Sequence, residues 1–312
     1  MKINKIHNID ALSGLKMLPD NFVDCIVTSP PYWQMRDYGI KAVEWGDGWC
    51  GQLGQEPTRD QFIAHLIEIF EECRRVLKPS GTLWVNIADS YNHSDKYNLK
   101  ANPQTISKGN NRDYVIGKKI NRERSIPQKS LCNIPNKFAD EMILSGWILR
   151  NEIIWHKPSC IPSSAKDRFT ADMEKLWFFV RSPKYHFNQQ FEPYANSTIK
   201  RYEYPVSTIG KNVVYQEIGG APRGEMSINP KGRNMRCVWK IPFEYCKESH
   251  FAMFPSKLIE TPIVAGSPEG GLVLDPFMGG GTTAMVAKRT GRNYIGFELN
   301  PEYIEIAERR VG

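Results

Sequence analysis

The sequence predicts an α/β protein organised around a doubly wound sheet, and three observations carry that expectation. Short apolar runs of strand length alternate with stretches whose apolar residues recur every three or four positions. Leu272-Val273-Leu274 runs into Asp275-Pro276-Phe277-Met278-Gly279-Gly280-Gly281-Thr282-Thr283 and then into a helix-like stretch at 284–289, the order strand, glycine turn, helix that such sheets use. Asp24-Cys25-Ile26-Val27-Thr28 is a buried-strand pattern that stops at Pro30 and Pro31, because proline lacks a backbone donor and restricts the residue before it.

In chain order, Asn8-Ile9-Asp10-Ala11-Leu12 reads as a turn ahead of Leu15 and Leu18. After the first strand, Thr58 with Gln61 makes a capping box. Phe62, Leu66, Ile69, Phe70, Cys73 and Leu77 follow at helical spacing until Lys78-Pro79-Ser80-Gly81 ends the run. Residues 82–88 are the next strand. Residues 136–145 read as a helix with Phe138, Met142 and Ile143 inward, and 152–155 and 176–180 as strands. The Ser182-Pro183-Lys184 turn is expected to close an antiparallel edge hairpin that returns through Tyr185 to Phe187. Residues 293–297 form the last strand, ending at Glu298. A chain of 312 residues holds one large domain of roughly 200–250 residues plus an insertion.

The net charge of +7 is unevenly spread. Residues 91–130 hold nine Lys/Arg against three Asp/Glu, and 196–236 hold seven against three, so these two polar stretches carry more than the whole excess. They are either phosphate-facing segments or solvated surface loops. Seven cysteines are scattered without a Cys-x-x-Cys pair, which points to neither a zinc site nor a disulfide framework. No apolar run approaches the roughly 18 residues of a membrane span, and Met1 to Asp10 lacks a signal-peptide core, so a cytoplasmic protein is expected.

Two segments carry chemistry. Ser29-Pro30-Pro31-Tyr32, followed by Trp33, packs a small polar acceptor, a rigid backbone and two aromatic faces into five residues at the carboxyl end of a strand. That combination suits holding an extruded planar base. The glycine loop allows positive φ and close backbone approach to a ligand, and Glu298 can accept hydrogen bonds from both hydroxyls of a ribose. Read alone, the loop is equally a plain structural turn.

Together, Asp275-Pro-Phe-x-Gly-x-Gly281-Thr-Thr with Glu298 and the upstream Thr28-Ser29-Pro30-Pro31-Tyr32-Trp33 resemble the amino-methylating DNA methyltransferases. The target-base tetrapeptide precedes the cofactor loop, the chain order of the family's circularly permuted β group. The resemblance covers most of 1–90 and 131–187 and nearly all of 247–312. It implies the Rossmann-like methyltransferase fold, S-adenosyl-L-methionine as cofactor, no metal, and double-stranded DNA as substrate, methylated after base flipping. A cognate restriction endonuclease is the partner implied for a restriction-modification enzyme. It also implies a catalytic domain whose target-base half is 1–187, with a basic loop insertion at 91–130, a target-recognition region at 188–246, and a cofactor-binding half at 247–312.

Carried over residue by residue, Ser29, Pro30, Pro31 and Tyr32 are the expected catalytic residues. Asp10, Phe254, Ser256, Asp275, Phe277, Gly279, Gly281, Thr282, Thr283 and Glu298 are the expected cofactor contacts, with a helix cap as the other reading of Asp10. Trp33, Arg36, Trp155 and Lys157 are expected at the base or the DNA. A salt bridge to Asp37 for Arg36, core packing for Trp155 and a loop charge for Lys157 are the alternatives. Arg223, Lys231, Arg233 and Arg236 are candidates for phosphate or guanine contacts. Ser in the first position of the tetrapeptide is usual in the cytosine-N4 members and Asp or Asn in the adenine-N6 members, so cytosine-N4 methylation is expected and adenine-N6 is the alternative. RNA and protein-glutamine methyltransferases usually carry Asn there and place the loop after the cofactor glycines. Methylation at carbon 5 of cytosine is set aside, since that family's nucleophile commonly follows proline and this sequence has no Pro-Cys dipeptide.

Overall fold

The structure, a computed structural model, describes residues 1–35, 37–40, 42–92, 125–203, 229–244 and 253–312. It divides into a compact unit formed by Met1–Asn188 with Val238–Gly312, and a second formed by Gln189–Cys237. In chain order the elements begin with β1 (Lys5–His7), α1 (Ala11–Lys16), β2 (Val23–Thr28), β3 (Val43–Glu44), β4 (Cys50–Gly51), α2 (Arg59–Val76), β5 (Leu77–Ile87), α3 (Ile134–Leu144), β6 (Ile148–His156) and β7 (Met173–Val180). There follow β8 (Phe191–Glu192), α4 (Asn196–Glu203), β9 (Arg233–Asn234), β10 (Val238–Lys240), α5 (Ser256–Gly266), β11 (Leu272–Asp275), α6 (Thr282–Arg289), β12 (Asn293–Phe297) and α7 (Pro301–Val311).

The first unit is built on an eight-stranded sheet in the order β1-β12-β11-β2-β5-β7-β6-β10. Every neighbour is parallel except β7, which runs antiparallel to both β5 and β6. From β2 the chain passes through α2 to β5 on one side, whereas from β11 it passes through α6 to β12 on the other. The adjacent strands β2 and β11 therefore form the topological switch point, where open sheets leave a crevice at the strands' carboxyl ends.

Sequence patterns account for most of these elements. Thr58 caps α2, accepting from the Gln61 N–H at 3.2 Å, while the Gln61 side chain reaches Asp47 at 2.7 Å and leaves the reciprocal half of the capping box unmade. Phe62, Leu66, Ile69, Phe70 and Cys73 are buried on one face of α2, and Phe70 meets Phe138 of α3 at 5.2 Å between ring centroids. Trp84 of β5 stacks on Phe178 of β7 at 3.9 Å. Burying these rings supplies a large share of the unit's hydrophobic stabilisation.

Three expectations are corrected. The antiparallel pair is β6 with β7, and 185–187 is not a returning strand: β7 already has a partner on each side, and the His186 N–H donates to the Ser80 carbonyl at 2.8 Å instead. Ile143 is 47% exposed, because the buried face of α3 is set by Ile134, Phe138, Ala139 and Met142. β5 starts at Leu77, directly after the helix, rather than at Thr82. In the second unit, β8 and β9 pair antiparallel, Phe191 facing Asn234. No helix among the described residues is long and apolar enough to cross a membrane.

Candidate functional site

β2 and β11 lie side by side with Cys25 opposite Val273 and Ile26 opposite Leu274, and their ends release Ser29 and Pro276 into one cavity of about 380 Å³. Ser29, Pro30, Pro31 and Tyr32 line it, as do Phe277, Gly279, Thr282 and Glu298 from the glycine loop and β12. Two chain segments some 250 residues apart thus share one chamber.

Asp275 holds the two strand ends together from below. Only 1% exposed, it accepts from the Thr28 and Thr283 hydroxyls, both at 2.6 Å, and from the Phe277 N–H at 3.0 Å. Its carboxyl oxygens are thus engaged by the protein, and neither Asp275 nor the buried Thr283 lines the cavity. Both are corrected from ligand contacts to supports of the loop. Burial pushes the Asp275 carboxyl up to about 6, against the hydrogen bonds that favour its ionised form. Its folded-state value lies above the ordinary value of about 3.9, so the unfolded chain ionises first, and stability falls as pH rises from about 4 to about 6, by on the order of 3 kcal/mol. Asp275→Asn is expected to remove that slope, read from urea midpoints at the two ends of the window; equal slopes in the two proteins would contradict it.

The glycines divide in role. Gly279 has φ +51°, and a Cβ there would meet nothing nearer than the Phe277 carbonyl at 3.9 Å, so its cavity side is open. Its N–H donates to Glu298 Oε2 at 2.9 Å, while Glu298 Oε1 accepts from the Asn300 N–H at 2.8 Å. Burial raises the Glu298 carboxyl, these backbone donors opposing the shift. Gly281 faces away from the cavity. At φ +80° its Cβ would lie 2.6 Å from the Ala307 Cβ of α7, which corrects it from a ligand contact to a packing contact. Arg310 of α7 donates to the Gly280 carbonyl and, at 3.1 Å, to Thr282 Oγ1, pinning the loop from outside.

Asp10 caps α1, accepting from the Ser13 N–H at 2.8 Å, and it also lines the cavity. Phe254 lines the cavity. Ser256 does not; it is buried at the start of α5, where its N–H donates to Glu244 Oε2 at 2.6 Å, which corrects it from an expected cofactor contact to part of that helix start.

On the other wall, Ser29 Oγ donates to Tyr32 Oη at 3.3 Å, and Tyr32 Oη donates to Glu174 Oε2 at 2.8 Å with Asn86 Oδ1 3.2 Å away. Burial, reinforced by the Glu174 charge, holds the Tyr32 phenol well above its ordinary value, so it stays protonated. Lys157 pairs with the other Glu174 oxygen and lies 4.6 Å above the Trp155 ring, whose indole N–H donates to the Ile241 carbonyl at 2.8 Å. Trp155 is therefore core-packed and also a wall of the cavity, and Lys157 faces it. Trp33 is corrected: 2% exposed and bonded to the Glu56 carbonyl at 3.0 Å, it points under the following loop rather than into the chamber.

That loop roofs the cavity with Met35, Tyr38, Trp45 and Leu53. Glu56, fully buried, anchors it by accepting from the Gly54 N–H at 2.8 Å, with His65 Nδ1 of α2 at 3.0 Å. His65 in turn stacks against Trp45 and Trp49, at 4.1 and 5.4 Å. Asn86, Glu174, Glu56 and Tyr303 escape a reading of the sequence. For Glu174 a signal exists, an acid in the Glu174-Lys175 pair that precedes the apolar run of β7, but nothing local says what it meets.

In the second unit, Arg233 and Arg236 both pair with Glu192, Arg233 at 2.9 Å, and Lys231 is exposed. Arg36, Arg223 and the segment 93–124, most of the basic stretch, lie outside the described residues. Among the described residues no group of His, Cys, Asp and Glu could hold a metal ion.

Residues 23–309 match an N6/N4 methyltransferase family model described as DNA methylase. The chain is 36% identical over 305 residues to the type II methyltransferase M.Cfr9I of Citrobacter freundii, covering 97% of this chain and 85% of that protein. It is 34% identical over 302 residues to M.SmaI of Serratia marcescens, covering 97% and 88%. Among solved structures it resembles PvuII DNA methyltransferase (cytosine-N4-specific), with a TM-score of 0.60 and 18% identity over 98% of this chain and 87% of the other. It also resembles a Thermus thermophilus protein, described as a DNA modification methylase and complexed with S-adenosyl-L-methionine, with a TM-score of 0.59 and 22% identity over 98% and 92%. At these identities the two structures speak to the fold alone.

Proposed function

The chain belongs to the N6/N4 DNA methylase family, and on that premise we propose that it transfers a methyl group from S-adenosyl-L-methionine to the N4 amine of a cytosine flipped out of double-stranded DNA. One observation carries the reading: the Ser29-Pro30-Pro31-Tyr32 segment and the Gly279–Glu298 wall open onto the same cavity. The residues present fit the cofactor. Glu298 offers carboxylate oxygens to ribose hydroxyls, Gly279 leaves room for close approach, Asp10 borders the same side, and Phe254 and Phe277 supply apolar cover. S-adenosyl-L-methionine, when bound, supplies an electrophilic methyl group on sulfur.

The exocyclic nitrogen is a poor nucleophile while its lone pair is conjugated into the ring. Ser29 Oγ and the Pro30 carbonyl accept from its two N–H bonds and favour a more tetrahedral nitrogen, and the fixed φ of the prolines keeps the two acceptors in place. Tyr32, its hydroxyl tethered by Glu174, presents its ring for stacking, a contact worth roughly 1–3 kcal/mol that offsets part of the extrusion cost. Cytosine is favoured over adenine by Ser29 in the first position of the tetrapeptide. Residues 188–246 are the proposed target-recognition region, with Lys231, Arg233 and Arg236 facing phosphate or base edges. The type II names of the relatives favour a restriction endonuclease of matching specificity as partner.

The test is mass spectrometry of nucleosides digested from mixed-sequence duplex DNA after incubation with the protein and isotopically labelled S-adenosyl-L-methionine. Labelled N4-methylcytosine is the expected product. N6-methyladenine would overturn the base assignment and keep the enzyme class.

A further inference from the structure

We propose that the loop at 157–172, between β6 and β7, is a wedge that enters the DNA duplex and fills the gap left by the extruded base, with Phe169 and Ile161 as the inserting side chains. The inference rests on the reading of the protein as a methyltransferase acting on flipped bases. Phe169 is 95% exposed and Ile161 90%, more than any other large apolar side chain among the described residues. Single exposed apolar residues are ordinary, but two at this level on one loop whose stems line a ligand cavity are not.

Both stems reach the chamber: Trp155 and Lys157 line it from β6, and Glu174 from β7. The loop is braced, so its apolar side chains are held out rather than left to collapse. Its base is closed by the Lys157 N–H on the Asp172 carbonyl at 2.7 Å, and its middle by the Ser163 N–H on Thr170 Oγ1 at 3.1 Å. Near the tip, Asp167 pairs with Lys129 at 2.7 Å and the Arg168 guanidinium lies 3.9 Å over the Tyr91 ring. With Asp167 so engaged, Lys166 and Arg168 give the tip a positive character beside its apolar residues. A braced, basic-flanked apolar projection next to the chamber proposed to receive the base is suited to a stacked anionic duplex, where wedging side chains unstack a step.

The test compares the wild-type protein with Phe169→Ala/Ile161→Ala on two substrates containing the site the wild type methylates: a fully paired duplex, and one in which the target cytosine faces a mismatched base and is cheaper to extrude. The variant is expected to lose about tenfold or more in kcat/KM on the paired duplex and to recover to within about twofold of wild type on the mismatched one. Phe169→Leu, which keeps apolar bulk, is expected to retain most of the activity. An equal loss on both substrates, the pattern of a general docking or self-association contact, would overturn the wedge, as would an undiminished rate on the paired duplex. Wild-type protein for which mixed-sequence duplex DNA yields no methylated cytosine, and hence no site from which to build the substrates, would overturn the underlying reading instead.

Discussion

Ser29→Ala is expected to slow methyl transfer by about 100-fold or more while leaving the affinity for S-adenosyl-L-methionine unchanged within about twofold. The hydroxyl sits at the end of β2 on the cavity wall, where it donates to Tyr32 Oη at 3.3 Å. Removing it orphans nothing, because Tyr32 Oη keeps Glu174 at 2.8 Å and Asn86 at 3.2 Å. The denaturation midpoint should therefore stay in place, and the loss should fall on the chemical step, where an acceptor for the amine N–H is missing. Single-turnover rates together with equilibrium cofactor binding check this. Wild-type turnover in the variant would remove Ser29 from the mechanism.

Gly281→Val is expected to destabilise the first unit by about 3 kcal/mol, combining a positive φ that β-branched residues resist with overpacking of a closed contact. The new Cβ would lie 2.6 Å from the Ala307 Cβ and 2.8 Å from its Cα, and Ala307 is fully buried on α7. The loop and α7 would have to part, taking Arg310 off the Gly280 carbonyl. A thermal midpoint lower by about 5–10 °C is the expected reading. Gly279→Ala, equally strained in φ but facing open space, serves as the control: its effect should fall more on cofactor affinity than on the midpoint. Equal midpoint losses in the two variants would contradict this division.

What the sequence disclosed was local. The proline stop after Thr28, the strand-glycine-helix order at 272–289, the Thr58 cap and the acid after β12 are each specified within a few residues, and each was legible. What it hid depends on pairing across the fold. Glu174 reaches Tyr32 across 142 positions because β7 inserts between β5 and β6. That same insertion left no strand edge for 185–187. The family resemblance also misassigned Trp33, since an indole beside a ligand segment and an indole buried under a loop have the same sequence. Asp275 and Gly281 were read as ligand contacts because a loop motif names its residues without saying which face the cavity and which hold the loop.

The sheet order has a consequence for how the molecule comes into being on the ribosome. β12 and β11 fill the space between β1 and β2, so until residues 272–297 have been synthesised the apolar strand β2 keeps one side unpaired. The nascent chain must carry that open edge through most of its synthesis, a hazard for association with other chains. The glycine loop reaches the Ser29 segment only where β11 lies against β2, so the candidate site is incomplete until that late-made strand is in place.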